Sequence, residues 1–315
     1  MRSLITGVNG FVGRHLAKLL AKEAGAECWA CSLEKSSEPL EKVVYGRVDI
    51  RSEREVAEFV GASQARHIYH LAAVSTISAA SSDQRVAFDV NVWGTRNLLE
   101  AAARLPDRAR VLNVSSSQVY GSAAPAAGIA ESVPLRPANM YAVTKAMAEL
   151  WGWQYGDRVA VITARAFNHT GPGQPTHFVL SSLAQQVAAI AAGISDPVIQ
   201  VGDLSVERDF TDVRDVVRAY ALLLEQGKPG EVYNVCSGKA YRLSDLLQSL
   251  LSQAGVTARI ERDPARSRSD DPPRIHGDNR KLRDATGWAP AIPIEDTMRD
   301  LLEFWRARIP ERFQV

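Results

Sequence analysis

The sequence predicts an α/β protein built on a Rossmann-type, doubly wound parallel sheet, with a smaller, discontinuous α/β domain for substrate. Three observations point there. A glycine-rich turn follows the first short apolar run, at residues 6–13. Short β-rich runs then alternate with segments of helical period as far as Arg165, and parallel strands need such crossovers to cover both sheet faces. Beyond Arg165 that alternation gives way to loops and longer amphipathic helices.

In order along the chain, Arg2 to Thr6 reads as a buried strand that breaks at Gly7, and residues 11–22 carry apolar side chains at helical spacing. Further strands are expected at 27–31, 43–45, 67–71, 110–114 and 159–164, with helices at 54–60, 89–104 and 139–155. Residues 171–175 form a Gly/Pro loop, 178–192 and 212–224 helices, and 231–235 a β-rich run placed to rejoin the first sheet. Residues 263–273 read as a polar loop and 294–308 as a terminal helix. The expected division is 1–166 plus 210–237 for a dinucleotide and 167–209 plus 238–315 for the substrate.

A chain of 315 residues suffices for two modest domains, and 46% hydrophobic with 23% charged residues excludes a disordered or low-complexity protein. Lys and Arg total 37 against 36 Asp and Glu, which leaves no charge footprint for a nucleic-acid or membrane partner. Cys28, Cys31 and Cys236 are an odd number without ligand-like spacing to histidines, so neither a disulfide framework nor a metal site is expected. The glycine motif begins within ten residues of the start and no apolar run reaches the ~18 residues of a membrane span. A cytoplasmic protein is expected.

Gly7, Gly10 and Gly13 are spaced three apart between a strand and a helix, within a turn that also carries Asn9, Phe11 and Val12. Missing β-carbons let such a backbone approach a pyrophosphate, whose charge suits the helix N-terminus; a plain tight turn is the alternative. After the second strand, Ser32 and Leu33 precede Glu34 and Lys35. An acid there would favour NAD(H) and a base NADP(H), so both cofactors stay open. Asp49 and Ile50 offer a carboxylate and an apolar side chain to an adenine, or else form a helix-entry loop.

Residues 113–121 end a strand in a serine run, and Tyr141 and Lys145 lie one helical turn apart. On a shared helix face the ammonium is expected to lower the phenol pKa and to bind the cofactor ribose, while Ser116 holds the substrate oxygen. The three form a proton relay for interconverting an alcohol and a ketone.

With TGVNGFVG at 6–13, HLAA at 70–73, NVWGT at 91–95, SSSQVYG at 115–121 and the Tyr141/Lys145 pair, the chain resembles the extended short-chain dehydrogenases/reductases of the NAD-dependent epimerase/dehydratase family. The resemblance implies that Asp49 meets adenine, that Leu71, Ala72 and Ala73 lie along the cofactor with Val114 and Phe167, and that Asn91 supports the site on its cofactor side. It also implies a homodimer through helices at 91–104 and 141–155. The second half, in RAFNHTGPGQ at 165–174, VERDFTDVRD at 206–215 and YNVCSG at 233–238, is similar to the GDP-mannose-modifying enzymes. That likeness implies a GDP-sugar substrate, with Asn168 and Arg208 at its diphosphate, Arg268 and Asp271 at phosphate and ribose, and Ser75, Ser117, Gln118 and Val179 completing the site. The plain alternatives are an exposed ion pair for Arg208 and Asp209, and a solvated loop for Arg266 and Arg268.

The activity implied is reduction of the C4 ketone of GDP-4-keto-6-deoxy-D-mannose to GDP-D-rhamnose. The 4,6-dehydratases of the family carry a glutamate where this chain has Gln118, and an amide has no useful basicity near neutral pH. A dehydratase, a nucleotide-sugar 4-epimerase and a non-catalytic nucleotide-binding protein are the alternatives. His169 reads as a satisfied loop histidine, and residues 122–136 as a loop covering the pocket.

Overall fold

The computed structural model describes residues 2–22, 27–35, 39–121, 128–266 and 272–309. Its strands are β1 Arg2–Thr6, β2 Glu27–Ser32, β3 Val43–Arg47, β4 His67–His70, β5 Arg110–Ser116, β6 Ala160–Ala166, β7 Asn168–Thr170, β8 Val198–Val201, β9 Glu207–Asp212, β10 Val232–Val235, β11 Ala240–Arg242, β12 Arg259–Arg262 and β13 Arg274–Ile275. The α-helices are α1 Phe11–Leu20, α2 Glu53–Ser63, α3 Ile77–Ser82, α4 Gln84–Phe88, α5 Gly94–Ala102, α6 Met140–Gln154, α7 Val179–Ala191, α8 Val213–Gln226, α9 Leu243–Ala254, α10 Arg280–Thr286 and α11 Ile294–Arg306.

Seven parallel strands form the main sheet in the order β10-β6-β5-β4-β1-β2-β3. Strand β1 stands near its middle, and the chain reverses direction across the sheet between β1 and β4. In such sheets the crevice outside the carboxyl ends at that reversal is where ligands bind. Both faces are covered, which explains why β6 is buried along its whole length. Leu16, Ala17 and Leu20 of α1 share one core with Val216, Val217, Leu223 and Leu224 of α8. Val56 and Val60 of α2 pack with Leu98, Leu99 and Ala102 of α5 on the other face. Each such side chain contributes about 1.5–3 kcal/mol on leaving water. The run at 231–235 does rejoin the sheet, as β10 beside β6.

A second core gathers Leu180, Leu183 and Val187 of α7, Leu246, Leu247 and Leu250 of α9, and Met298, Leu301 and Trp305 of α11. Over it lie two small sheets, one in which β9 is flanked by β7, β11 and β13, and the pair β8 and β12. Asp212 ends β9, caps α8 through the Arg214 amide at 2.8 Å and accepts from Thr297 Oγ1 of α11 at 2.8 Å. Leu282 and Trp288, late in the chain, return to the core of the main sheet.

Three local features depart from the expected elements. The helix expected at 89–104 opens as a π-helical turn over Asp89–Trp93 before α5 begins. Ahead of it lie α3 and α4, capped by Thr76, which accepts from the Ala79 amide at 3.2 Å, and by Asp83, which accepts from the Val86 amide at 2.9 Å. In the expected cover loop, residues 122–127 lie outside the described set, and the rest turns away from the pocket. Ile129 is buried and bridges to Gly277, and Glu131 accepts from the Asn234 amide at 2.8 Å. The small β-strands after residue 198 have too few residues to announce themselves by alternation.

Beneath the carboxyl ends of β5 and β6, Glu149 and Arg165 form a buried ion pair, with 0% and 3% of their side chains exposed. The guanidinium forks onto both carboxylate oxygens at 2.7–3.3 Å and donates to Tyr120 Oη at 2.9 Å, while Ser115 Oγ also donates to Glu149. Removing one member strands the other as an uncompensated buried charge. Glu149→Ala is expected to lower unfolding stability by about 3–5 kcal/mol, and Glu149→Met with Arg165→Met together to recover much of it; urea unfolding of the three proteins measures both.

Candidate active site

The cavity of about 1300 Å³ lies at the carboxyl ends of β1, β4, β5 and β6, and α7 and β9 close its other side. Backbone approach shapes its floor. Gly7 has φ +74°, and a β-carbon there would lie 2.7 Å from the Ala72 amide nitrogen; one on Gly13 would lie 2.5 Å from the Gly7 carbonyl. Any side chain would prise the turn from the segment after β4. A buried hydrogen-bond chain fixes the same junction. Thr95 Oγ1 donates to the Asn91 carbonyl at 2.6 Å and so accepts from His70 Nε2 at 2.9 Å, leaving His70 Nδ1 to accept from Thr6 Oγ1 at 2.8 Å. Burial holds His70 down to a pKa of about 3, so it stays neutral.

Ser116 ends β5, where its Oγ accepts from the Gln118 amide at 3.2 Å as the chain turns into a 3-10 segment, Ser117–Tyr120. Asn139 caps α6 by accepting from the Ala142 amide at 2.9 Å, which sets the rotation of Tyr141 and Lys145. Tyr141 shares a hydrogen bond with Ser116, and Lys145 Nζ donates to the Val114 carbonyl at 2.8 Å. The expectation that Lys145 depresses the Tyr141 phenol needs correcting. Loss of solvent raises the Tyr141 pKa, the Ser116 hydrogen bond opposes that rise, and the Lys145 charge is turned toward a carbonyl. The site therefore holds a protonated phenol. Burial lowers Lys145 to about 8, against the opposing pull of Glu149 one turn along α6.

Of the residues expected along a cofactor, all but Asn9 and Asn91 line this cavity; so do Ser75, Ser116, Ser117, Gln118, Asn168, Val179 and Arg208 on the substrate side. Asn9 is corrected to a loop tie, donating through Nδ2 to the carbonyls of Glu34 at 2.9 Å and Lys35 at 3.3 Å. Asn91, 1% exposed in the π-helical turn, is the support expected of it, but from behind the cavity wall and without facing a cofactor. It accepts from the Val74 amide at 2.8 Å and donates to Thr144 Oγ1 at 2.9 Å, between Tyr141 and Lys145 in sequence. Arg268 and Asp271 lie outside the described residues. Asp49 faces its own helix-entry loop, forked onto by Arg51 at 2.7–3.1 Å.

Arg208 and Asp209 do not form the exposed pair weighed above. Both are buried; Arg208 lines the cavity, whereas Asp209 accepts from the amides of Ser237, Gly238 and Gly277 at 2.8–3.2 Å. His169 donates from Nδ1 to the Phe167 carbonyl at 2.9 Å and stacks on Phe11 with ring centroids 6.1 Å apart. Arg51, Thr176, His177 and Arg266 are further lining residues. Those at 176–177 carried only the signal of a loop before an amphipathic helix. Among the described residues no three His, Cys, Asp or Glu side chains gather where a metal ion would sit, and no helix is long and apolar enough to cross a membrane.

The lowered Lys145 pKa makes a pH prediction. Between about 8 and the ordinary 10.5, the unfolded chain holds a proton that the folded chain has lost, so stability rises with pH across that window and the burial penalty is fully present below it. Against Lys145→Met, the ligand-free parent should gain in relative thermal stability from pH 8 to 10.5 and show no such gain from pH 6 to 7.

Comparison with known proteins agrees with this geometry. Over 316 aligned residues the chain is 39% identical to a GDP-6-deoxy-D-mannose reductase of Pseudomonas aeruginosa, covering 98% of this chain and 99% of that one. The structure of RMD from P. aeruginosa complexed with NADPH superposes with a TM-score of 0.88 at 34% identity, covering 98% of this chain and 100% of that one. A Thermus thermophilus UDP-glucose 4-epimerase in complex with NAD gives 0.85 at 27% identity, covering 98% and 100%. The family model of GDP-mannose 4,6 dehydratase matches residues 4–301, and the chain belongs to that family of nucleotide-sugar enzymes.

Proposed function

We propose that this protein reduces the C4 ketone of GDP-4-keto-6-deoxy-D-mannose to GDP-D-rhamnose with NADPH or NADH. The observation that carries the reading is the hydrogen-bonded Ser116–Tyr141 pair, with Lys145 beside it, on the wall of a cavity that also holds the glycine turn. The full-length likeness to a GDP-6-deoxy-D-mannose reductase supports the substrate. Support for the cofactor comes from the cradle at Gly7 and Gly13, which only a backbone without β-carbons can form, and from NADPH in the related RMD structure.

In this reading Gly7, Gly10 and the amides that open α1 receive the pyrophosphate, Ser32, Asp49 and Ile50 the adenosine end, and Lys145 the nicotinamide ribose. A bound reduced nicotinamide supplies hydride to C4. Reduction leaves negative charge on O4, Ser116 orients that oxygen, and the protonated Tyr141 phenol donates its proton to it. Arg208 meets the diphosphate together with Asn168 and with the start of α7, whose first amides have no side-chain cap and lie beside cavity-lining Val179. Gln118 lines the same wall without a basic group, which favours simple reduction over elimination.

The two cores support a division into 1–166 plus 210–237 for the dinucleotide and 167–209 plus 238–315 for the nucleotide sugar in the main, although Leu282 and Trp288 pack in the first core, Phe210 packs in the second, and β9 runs on to Asp212 across the boundary. A homodimer fits the exposed Trp93, Leu150 and Trp153, 46–55% accessible, at the π-helical turn and on α6. The cytoplasm is the compartment this reading assigns, and three buried free thiols suit it.

Mixing the protein with GDP-4-keto-6-deoxy-D-mannose and NADPH or NADH should give stoichiometric loss of nicotinamide absorbance and GDP-D-rhamnose. Conversion of GDP-mannose without net cofactor use would replace the reading with a dehydratase or epimerase. Tyr141→Phe should cut kcat by about 10²–10⁴ while leaving dinucleotide affinity within about twofold, as measured by fluorescence titration. Trp153→Glu should shift the protein from dimer to monomer in light scattering, since it sets a charge in the apolar patch.

A further inference from the structure

One fully buried hydroxyl on the cavity wall has no task in the active-site reading. Tyr220 of α8 is fully buried, with 0% of its surface exposed, and lines the cavity from the core beneath the sheet. Its hydroxyl has no hydrogen-bond partner among the described residues. A buried, unpaired hydroxyl forfeits the hydrogen bonds it made in water and is retained at a cost unless a ligand answers it. Phenylalanine would fill the same core volume without that cost.

The location of the hydroxyl narrows the ligand. Tyr220 and Tyr141 line the same cavity, and Tyr141 is the ionisable group near enough to oppose ionisation of the Tyr220 phenol, so the hydroxyl lies on the side of the reacting groups. Val12, Leu71 and Val114 both line the cavity and pack against the core that holds Tyr220. This floor is apolar and suits one face of a flat ring. A ring seated there next to Tyr141 and Ser116, and carrying an amide at its rim, would need one polar partner from the floor. Burial keeps Tyr220 neutral, so it serves as a hydrogen-bonding group and not as an acid or base.

We propose that the Tyr220 hydroxyl hydrogen-bonds the carboxamide of the bound nicotinamide and so fixes the rotation of the ring, and hence the face it turns toward the substrate. Tyr220 is then a cofactor-positioning residue. The proposal rests on the nicotinamide reading above and deepens it.

The test compares the parent with Tyr220→Phe, using whole dinucleotides and fragments that lack the nicotinamide. NADPH is paired with 2′-phospho-ADP-ribose and NADH with ADP-ribose, with affinities from calorimetry. The variant should bind the dinucleotide about 3- to 10-fold more weakly, the range for one neutral hydrogen bond, and the fragment equally well. Without ligand, the variant should be at least as heat-stable as the parent. Equal weakening of dinucleotide and fragment, no weakening of either, a change confined to GDP-sugar affinity, or a lower melting temperature in the ligand-free variant would each overturn the assignment. A parent that binds neither dinucleotide would instead bring down the nicotinamide reading itself, and Tyr220→Phe is not needed to see it.

Discussion

The ion pair between Glu149 and Arg165 is the interaction around which the catalytic side of the protein is arranged. Two charges leave water completely to form it, a step that succeeds only when every remaining donor and acceptor is answered. The answers come from four places. Ser115 at the end of β5 and Tyr120 in the 3-10 segment donate to or accept from the pair; Glu131 supplies a carbonyl, and Asn234 of β10 accepts from the Tyr120 hydroxyl at 2.7 Å. Helix α6, the ends of β5 and β6 and the outermost strand β10 are thereby held in one register. Ser116 follows Ser115, and Lys145 precedes Glu149 by one turn. The reacting groups sit on the rim of a network that cannot relax without stranding a charge.

A second constraint, steric in origin, acts at the centre of the sheet. The turn after β1 and the segment after β4 approach until no β-carbon fits at Gly7, and α1 packs back on the turn until none fits at Gly13. The neutral His70 ties Thr6 to Thr95, and Asn91 ties Val74 to Thr144. The π-helical turn that carries Asn91 leads into α5, and Asn91 and Thr95, four residues apart, both face inward from it. Such turns are rare in general and concentrate near functional sites. Through these contacts the floor of the cavity and the catalytic helix share a single buried polar seam.

The far wall is assembled differently. Asp209 accepts from three backbone amides and Asp212 links a helix cap to α11, so carboxylates brace the small sheets where apolar area is limited. Arg208, next to Asp209 on β9, is buried and lines the cavity. A cation held this way is placed for a diphosphate with little side-chain entropy left to lose.

The sequence by itself determined the doubly wound sheet, the glycine turn and the Ser116, Tyr141 and Lys145 set, because strand and helix periodicity and the i, i+4 spacing are local properties. Its short motifs also named most of the residues that line the cavity. Only the tertiary structure decided that Asn9 holds the frame and that neither it nor Asn91 faces the cavity, that Arg208 and Asp209 part company although adjacent, and that Lys145 leaves the Tyr141 phenol protonated. Those outcomes depend on burial and on partners supplied from distant strands. The same holds for Tyr220, which reads in sequence as one more apolar position on an amphipathic helix. Nothing in neighbouring residues reveals that its hydroxyl reaches the cavity without a partner among the described residues.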